Sequence, residues 1–150
     1  MSPESVALKD LPQWVAAHGD LFSEPNLILL SGEMGAGKTT LVSAVVQWLG
    51  GSKEGVSSPT FALHHQYKTP KIVVDHMDLY RLENDQDLES SGFFEVLADS
   101  DHLCFLEWSN RIEESFYQSQ RSKVYVIDLK KGAKEDVREI RVRPLFQMKT

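Results

Sequence analysis

From Gly32 to Thr39 the chain reads Gly-Glu-Met-Gly-Ala-Gly-Lys-Thr, which satisfies G-x-x-x-x-G-K-[ST] at every position. A chain of 150 residues would carry such a string by chance about once in a few hundred sequences. Its setting is equally restrictive. Leu27-Ile28-Leu29-Leu30 precedes it, a continuous apolar run that suits a strand buried on both faces of a parallel sheet. After it, Leu41, Val42, Val45, Val46 and Leu49 recur at helical spacing, and Gly50-Gly51 supplies a stop. Strand, glycine loop and helix in this order make a phosphate loop. Gly32, Gly35 and Gly37 let the backbone curl so that the amides spanning Glu33, Met34 and Ala36 turn toward phosphate oxygens. The positive end of the following helix favours an anion there. Lys38 then reaches the β- and γ-phosphates, Thr39 offers its hydroxyl to Mg²⁺, and Thr40 bonds the α-phosphate.

The rest of the chain predicts one α/β domain over residues 1–150, with a mixed sheet flanked by helices. Leu11 to His18 reads as a short helix, with Asp10 as its cap and Gly19 as its stop. Phe61–Tyr67 and Lys71–Asp75 read as strands of an antiparallel hairpin broken at Lys68-Thr69-Pro70. Asp85–Ser90 and Phe93–Ala98 read as short helices separated by Gly92, followed by a strand over His102–Leu106 and a helix over Ser109–Gln118. Lys123–Leu129 and Asp136–Val142 alternate around Lys131-Gly132 and predict a closing C-terminal β-hairpin.

Composition narrows the function classes. Sixteen Lys and Arg stand against twenty-two Asp and Glu, a net charge of −6, which disfavours a broad basic face for nucleic acid. The single cysteine, Cys104, excludes an internal disulfide, and its apolar strand makes it a core residue. No apolar run approaches a membrane span, and Met1–Asp10 lacks the features of an export signal, so the expectation is a cytoplasmic protein.

A phosphate loop needs an acid at the end of a neighbouring strand to hold or position the metal. Two places compete: Ile72-Val73-Val74-Asp75, continuing to Asp78, and Leu103-Cys104-Phe105-Leu106-Glu107. Spacing alone leaves both open. His76 reads as a half-buried strand residue rather than a catalytic one, and His64-His65 as strand surface. Trp108 is equally compatible with core packing and with shielding phosphates from water. Ser57-Ser58-Pro59-Thr60 lies where a switch segment sits, with Ser58 and Thr60 able to approach a metal or γ-phosphate.

Taken together, GEMGAGKTTL, SPTF, HMDLYRL and LEW in this order resemble the TsaE family, bacterial P-loop ATPases required for N6-threonylcarbamoyladenosine modification of tRNA. The resemblance runs from about Leu27 to Trp108. It implies a P-loop NTPase-like sheet, ATP and Mg²⁺ as ligands, and a role for Asp78 rather than Asp75, within a His-x-Asp-x-Tyr-Arg motif on His76, Asp78, Tyr80 and Arg81. It implies Glu107 at the magnesium, with Glu107 and Trp108 both needed for ATP turnover, Ser58 and Thr60 in a switch-like loop, and a late arginine at Arg138 near the nucleotide. The family often continues Glu-Trp with Pro-Glu, whereas Ser109-Asn110 follows here. The resemblance further implies a subunit that binds the TsaD–TsaB pair, meets tRNA only through that complex, and hydrolyses ATP slowly alone. The competing readings are a small-molecule P-loop kinase, for which Arg111, Arg121 and Arg138 are too scattered to form a lid, and a regulatory GTPase, whose Asn-Lys-x-Asp signature is absent.

Overall fold

A computed structural model of the chain describes residues 3–33, 35–52, 64–78, 92–107, 116–117 and 123–145. The described elements are β1 (Glu4–Ala7), a single 3-10 turn (Leu8–Asp10), α1 (Leu11–Ala17), α2 (Gly19–Phe22), β2 (Leu27–Ser31), α3 (Lys38–Trp48), β3 (His64–Lys68), β4 (Val73–Asp78), α4 (Phe93–Ala98), β5 (Leu103–Glu107), β6 (Val124–Lys131) and β7 (Val137–Pro144). The strands form one seven-stranded sheet in the order β1-β7-β6-β2-β5-β4-β3. β6, β2, β5 and β4 are mutually parallel, while β7, β1 and β3 add antiparallel edges. The expected α/β class, the mixed sheet and the closing hairpin are all present.

The apolar run of β2 is central because it has no polar face to offer water. Leu27, Ile28, Leu29 and Leu30 are at most 1% exposed. Ile28 and Leu30 pack with Phe105, Ile127 and the α3 residues Leu41, Val42 and Val45 on one side. Leu27 and Leu29 pack with Cys104, Leu106, Phe93 and Leu97 on the other. At about 2 kcal/mol per buried aliphatic side chain, β2 is the segment the fold can least afford to disturb. α3 ends as expected: Gly50 N–H donates to Gln47 C=O at 3.0 Å and Gly51 N–H to Val46 C=O at 2.9 Å.

Several local expectations change. Asp10 precedes α1, but its side chain makes no capping hydrogen bond; Pro12 near the helix start removes one of the amides a cap would serve. Gly19 does not simply stop α1. It opens α2, because Phe22 is drawn completely into the core beside Trp14 and Phe105. β1 is absent from the sequence reading, since Glu-Ser-Val-Ala carries little alternation. It exists through its pairing with β7, with Leu8 N–H donating to Asp136 C=O at 2.8 Å. The helix expected over 85–90, and that over 109–118 apart from Phe116 and Tyr117, lie outside the described residues.

Asp75 has a structural task. It is 1% exposed on the α4 side of the sheet, opposite α3. Its Oδ1 accepts from His64 Nε2 at 2.8 Å and Gln66 Nε2 at 3.0 Å, and its Oδ2 accepts from His102 Nδ1 at 2.8 Å. His102 Nε2 also lies 3.3 Å from Asp99 Oδ2. One carboxylate thus joins β3, β4 and the turn into β5. Burial pushes the Asp75 carboxyl upward, but the three donors outweigh it and hold the group below its ordinary value. A depressed folded-state value adds stability that is complete above the unfolded value and lost as pH falls through the folded one. Asp75→Asn is therefore expected to lower stability at pH 7 by about 2 kcal/mol, since charge-assisted bonds are lost. The variant should also lose less stability than the parent chain as pH drops below about 4. Urea melts between pH 3 and pH 7 measure both; parallel curves would contradict this account.

Candidate functional site

Where β2 ends, the chain must leave the sheet, turn and enter α3. Gly32 begins that exit against β6: a Cβ there would stand 2.6 Å from the Leu129 carbonyl oxygen, so a side chain has no room. Gly37 ends it at φ 104°, a left-handed conformation that sets the first turn of α3. α3 starts with Lys38, Thr39 and Thr40 and has no acid in its first turn, so its positive end is not offset locally. The loop is braced from the hairpin. Arg138 Nε donates to Ala36 C=O at 3.0 Å, and its guanidinium also donates to Gly35 C=O at 3.3 Å. With these carbonyls occupied by Arg138, the loop curve is fixed from its outer side. Lys131, at the end of β6, brings its ammonium to 3.5 Å from where a Gly35 Cβ would lie, adding positive charge.

Strand register delivers the acid. β5 lies directly beside β2, and Glu107 is level with Leu30, two residues before Gly32 opens the loop. β4 is one strand further out, with Asp78 level with Glu107. The C-terminal ends of three parallel strands therefore meet the start of the loop, the edge at which open α/β sheets bind ligands. Lys38 Nζ donates to Gly32 C=O at 2.7 Å and lies 3.6 Å from Glu107 Oε1. His76 Nε2 lies 3.3 Å from Glu107 Oε2, at an angle that falls short of a hydrogen bond. Burial raises the Glu107 carboxyl, while His76 and Lys38 together bring it below its usual value. Glu107 is thus kept ionised in a nearly closed site.

The structure brings Gly32, Glu33, Gly35, Ala36, Gly37, Lys38, Thr39, Thr40, Glu107 and Arg138 to one end of the sheet, with Asp78 alongside. Asp75, one of the two places left open for the metal acid, points instead to the opposite face among His64, Gln66 and His102. His76 is not half-buried but completely enclosed, because alternation along β4 turns it toward α3 with Asp78 rather than toward solvent. Met34, Ser58, Thr60, Tyr80, Arg81 and Trp108 lie outside the described residues. Spacing alone gives His76 no role, and its signal in the sequence is its place at the head of the His-x-Asp-x-Tyr-Arg motif that the resemblance supplies. Sequence reasoning passed over Lys131, which nothing but the hairpin register points to the loop.

Hard oxygen ligands suit Mg²⁺, and Glu107 Oε2 is a buried carboxylate oxygen with no hydrogen-bond partner among the described residues. That orphan atom, with the Thr39 hydroxyl at the loop's end, fits an oxygen-ligated divalent ion. No group of three or more His, Cys, Asp or Glu among the described residues is arranged to hold a metal by itself. A separate concavity of about 470 Å³ at the α1–α2 junction is lined by Asp20, Glu24 and Tyr125, a poor receptor for a polyanion. Among the described residues no helix is long and apolar enough to cross a membrane.

The signature of the family described as "Threonylcarbamoyl adenosine biosynthesis protein TsaE" matches residues 6–140. A Rickettsia bellii protein named tRNA threonylcarbamoyladenosine biosynthesis protein TsaE is 38% identical over 88 residues, 59% of this chain and 60% of that protein. The Bacillus subtilis protein of the same name is 35% identical over 121 residues, 79% of this chain and 70% of that protein. The chain thus spans less than two thirds of the length of the Rickettsia relative. In three dimensions it is similar to the crystal structure of Bacillus subtilis YdiB, with a TM-score of 0.57 at 20% identity over 97% of this chain and 89% of that one, which establishes the fold.

The bracing by Arg138 can be tested directly. Arg138→Ala removes the donors to Gly35 and Ala36, and two bonds worth about 1 kcal/mol each correspond to roughly thirtyfold more frequent local opening. Hydrogen exchange by mass spectrometry is expected to show that acceleration in peptides covering 35–38, with core strands unaffected. Unchanged exchange there would remove Arg138 from the support of the loop.

Proposed function

Because the chain belongs to the TsaE family, whose members are named for threonylcarbamoyladenosine biosynthesis on tRNA, we propose that it is the Mg-ATP-binding, slowly hydrolysing subunit of that pathway. It acts with TsaD and TsaB proteins and does not itself transfer the threonylcarbamoyl group. The observation that carries the ATPase reading is the meeting of Lys38 and Glu107 at the mouth of the glycine loop. A cation that binds phosphate and an ionised acid that holds a metal are here 3.6 Å apart on separate elements, which a glycine turn of no function would not need.

In this reading the loop amides and the α3 N-terminus bind the β-phosphate, and Lys38 leaves the Gly32 carbonyl to reach the β- and γ-oxygens. Thr39 and Glu107 would hold Mg²⁺, which when bound neutralises charge on the terminal phosphates. Asp78, level with Glu107, orients the attacking water, and Trp108 closes the site against solvent. Ser58 and Thr60 respond to the γ-phosphate. Arg138 keeps the loop in its receptive curve and lies beside the nucleotide. Arg138, bonded to the loop carbonyls, is not placed to swing over the transferring phosphoryl as an arginine finger does. Missing charge of that kind can be worth 10³-fold or more, which supports dependence on the partner proteins for turnover. The acidic net charge supports contact with tRNA through those partners.

Two substitutions separate binding from turnover. Lys38→Ala is expected to weaken Mg-ADP binding by about tenfold or more in calorimetry, because a charge-assisted contact is worth about 1.5–3 kcal/mol. Glu107→Gln should lower ATP hydrolysis in the presence of TsaD and TsaB by about 100-fold while changing nucleotide affinity far less. Labelled ATP should yield inorganic phosphate rather than a phosphorylated small molecule. Full hydrolysis by the Glu107 variant would remove that residue from the reaction.

A further inference from the structure

His76 sits at a position where an apolar residue would serve the fold better. Its side chain is 0% exposed, on the α3 side of the sheet with Val74, Leu103 and Phe105. Neither ring nitrogen has a hydrogen-bond partner among the described residues. Nε2 has only the 3.3 Å contact with the Glu107 carboxylate and Nδ1 has no partner among the described residues, so burying the imidazole costs about 1–3 kcal/mol that a phenyl ring would not. A residue kept against stability points to a task. His76 Nε2 lies 3.3 Å from Glu107 Oε2, while Glu107 Oε1 faces Lys38. Across the β3–β4 pair stands His65, which is partly exposed and has its ring tilted against Tyr67 with centroids 6.2 Å apart. The carboxylate is therefore bounded on one oxygen by a mobile ammonium and on the other by a ring that packing holds still.

We propose that His76 is the positioning residue of the nucleotide site: it holds the Glu107 carboxylate in the orientation that receives the metal, leaving Lys38 to serve the phosphates. This rests on the Mg-ATP reading above and assigns the metal-dependent part of binding to a residue that touches neither nucleotide nor ion. Lys38 approaches Glu107 from the flexible end of a four-carbon side chain, so it can neutralise the acid but not fix its plane. A buried ring with its edge against Oε2 can. Partners that orient a metal-binding side chain typically matter by 10–100-fold in metal affinity.

The experiment is ADP binding by calorimetry, with and without Mg²⁺, for the full chain and for His76→Phe, His76→Gln, Glu107→Gln and the His76→Phe/Glu107→Gln double variant, together with thermal melts without nucleotide. His76→Phe is expected to melt no lower than the parent, to bind ADP normally without metal, and to lose about tenfold or more of the Mg²⁺-dependent gain. Combined with Glu107→Gln it should cause little further loss, because both changes act through one carboxylate. His76→Gln, which keeps an amide nitrogen near the Nε2 position, should recover part of the gain. A lower melting temperature with an intact Mg²⁺ gain, a Phe variant that fails to fold, or additive losses in the double variant would each overturn the inference. Absence of ADP binding by the parent chain would sink the nucleotide-site reading instead, which keeps the two failures distinct.

Discussion

The site depends on a strand register. Glu107 pairs level with Leu30 across β2 and β5, and from there its carboxylate meets the Lys38 ammonium at 3.6 Å. Moving β5 by one residue would turn Glu107 to the α4 face and put Leu106 beside the loop. That register is held by apolar packing on both faces: Phe105 interlocks with the α3 side, while Cys104 and Leu106 interlock with the α4 side. The chemistry at the end of the sheet is thus fixed by side chains that take no part in it.

Charge is handled differently at the two buried carboxylates, and the contrast explains their roles. Asp75 has three donors on its two oxygens, which fill three of about four lone-pair positions. Such a group is a fastener. Glu107 is held ionised by neighbours at 3.3 and 3.6 Å, yet Oε2 has no hydrogen bond among the described residues. An acid that is charged, enclosed and incompletely satisfied is suited to a cation. The two residues lie one strand apart, and their separation by face is what makes one structural and the other a candidate ligand.

The hairpin at the C-terminal end does more than close the sheet. β6 lies against β2 on the side opposite β5, and its partner β7 carries Arg138 back to the loop. The loop is therefore held between Glu107 on one flank and the Arg138 and Lys131 cations on the other. Gly32 passes so close to Leu129 that no side chain fits between β6 and the loop. A movement of the hairpin would be felt at the phosphate cup through Gly35 and Ala36.

The sequence alone determined the loop, the strand before it and the helix after it, because these are contiguous and each residue's conformational needs are local. Glycines at fixed spacing, an apolar run too short for a helix and a 3.6-residue stripe carry their meaning without the rest of the chain. The closing hairpin was legible for the same reason. Spacing left Asp75 and Glu107 open, since both end apolar runs; the family resemblance favoured Glu107 and Asp78, and the structure adds which strand and face each carboxylate takes. His76 was misjudged because burial of a polar residue is a property of packing, not of period. β1 and the second helix at Gly19 escaped notice because one is made by pairing with a strand more than a hundred residues away and the other by the seating of Phe22 in the core. Long-range register, and the face it assigns to each side chain, is what only the tertiary structure could decide.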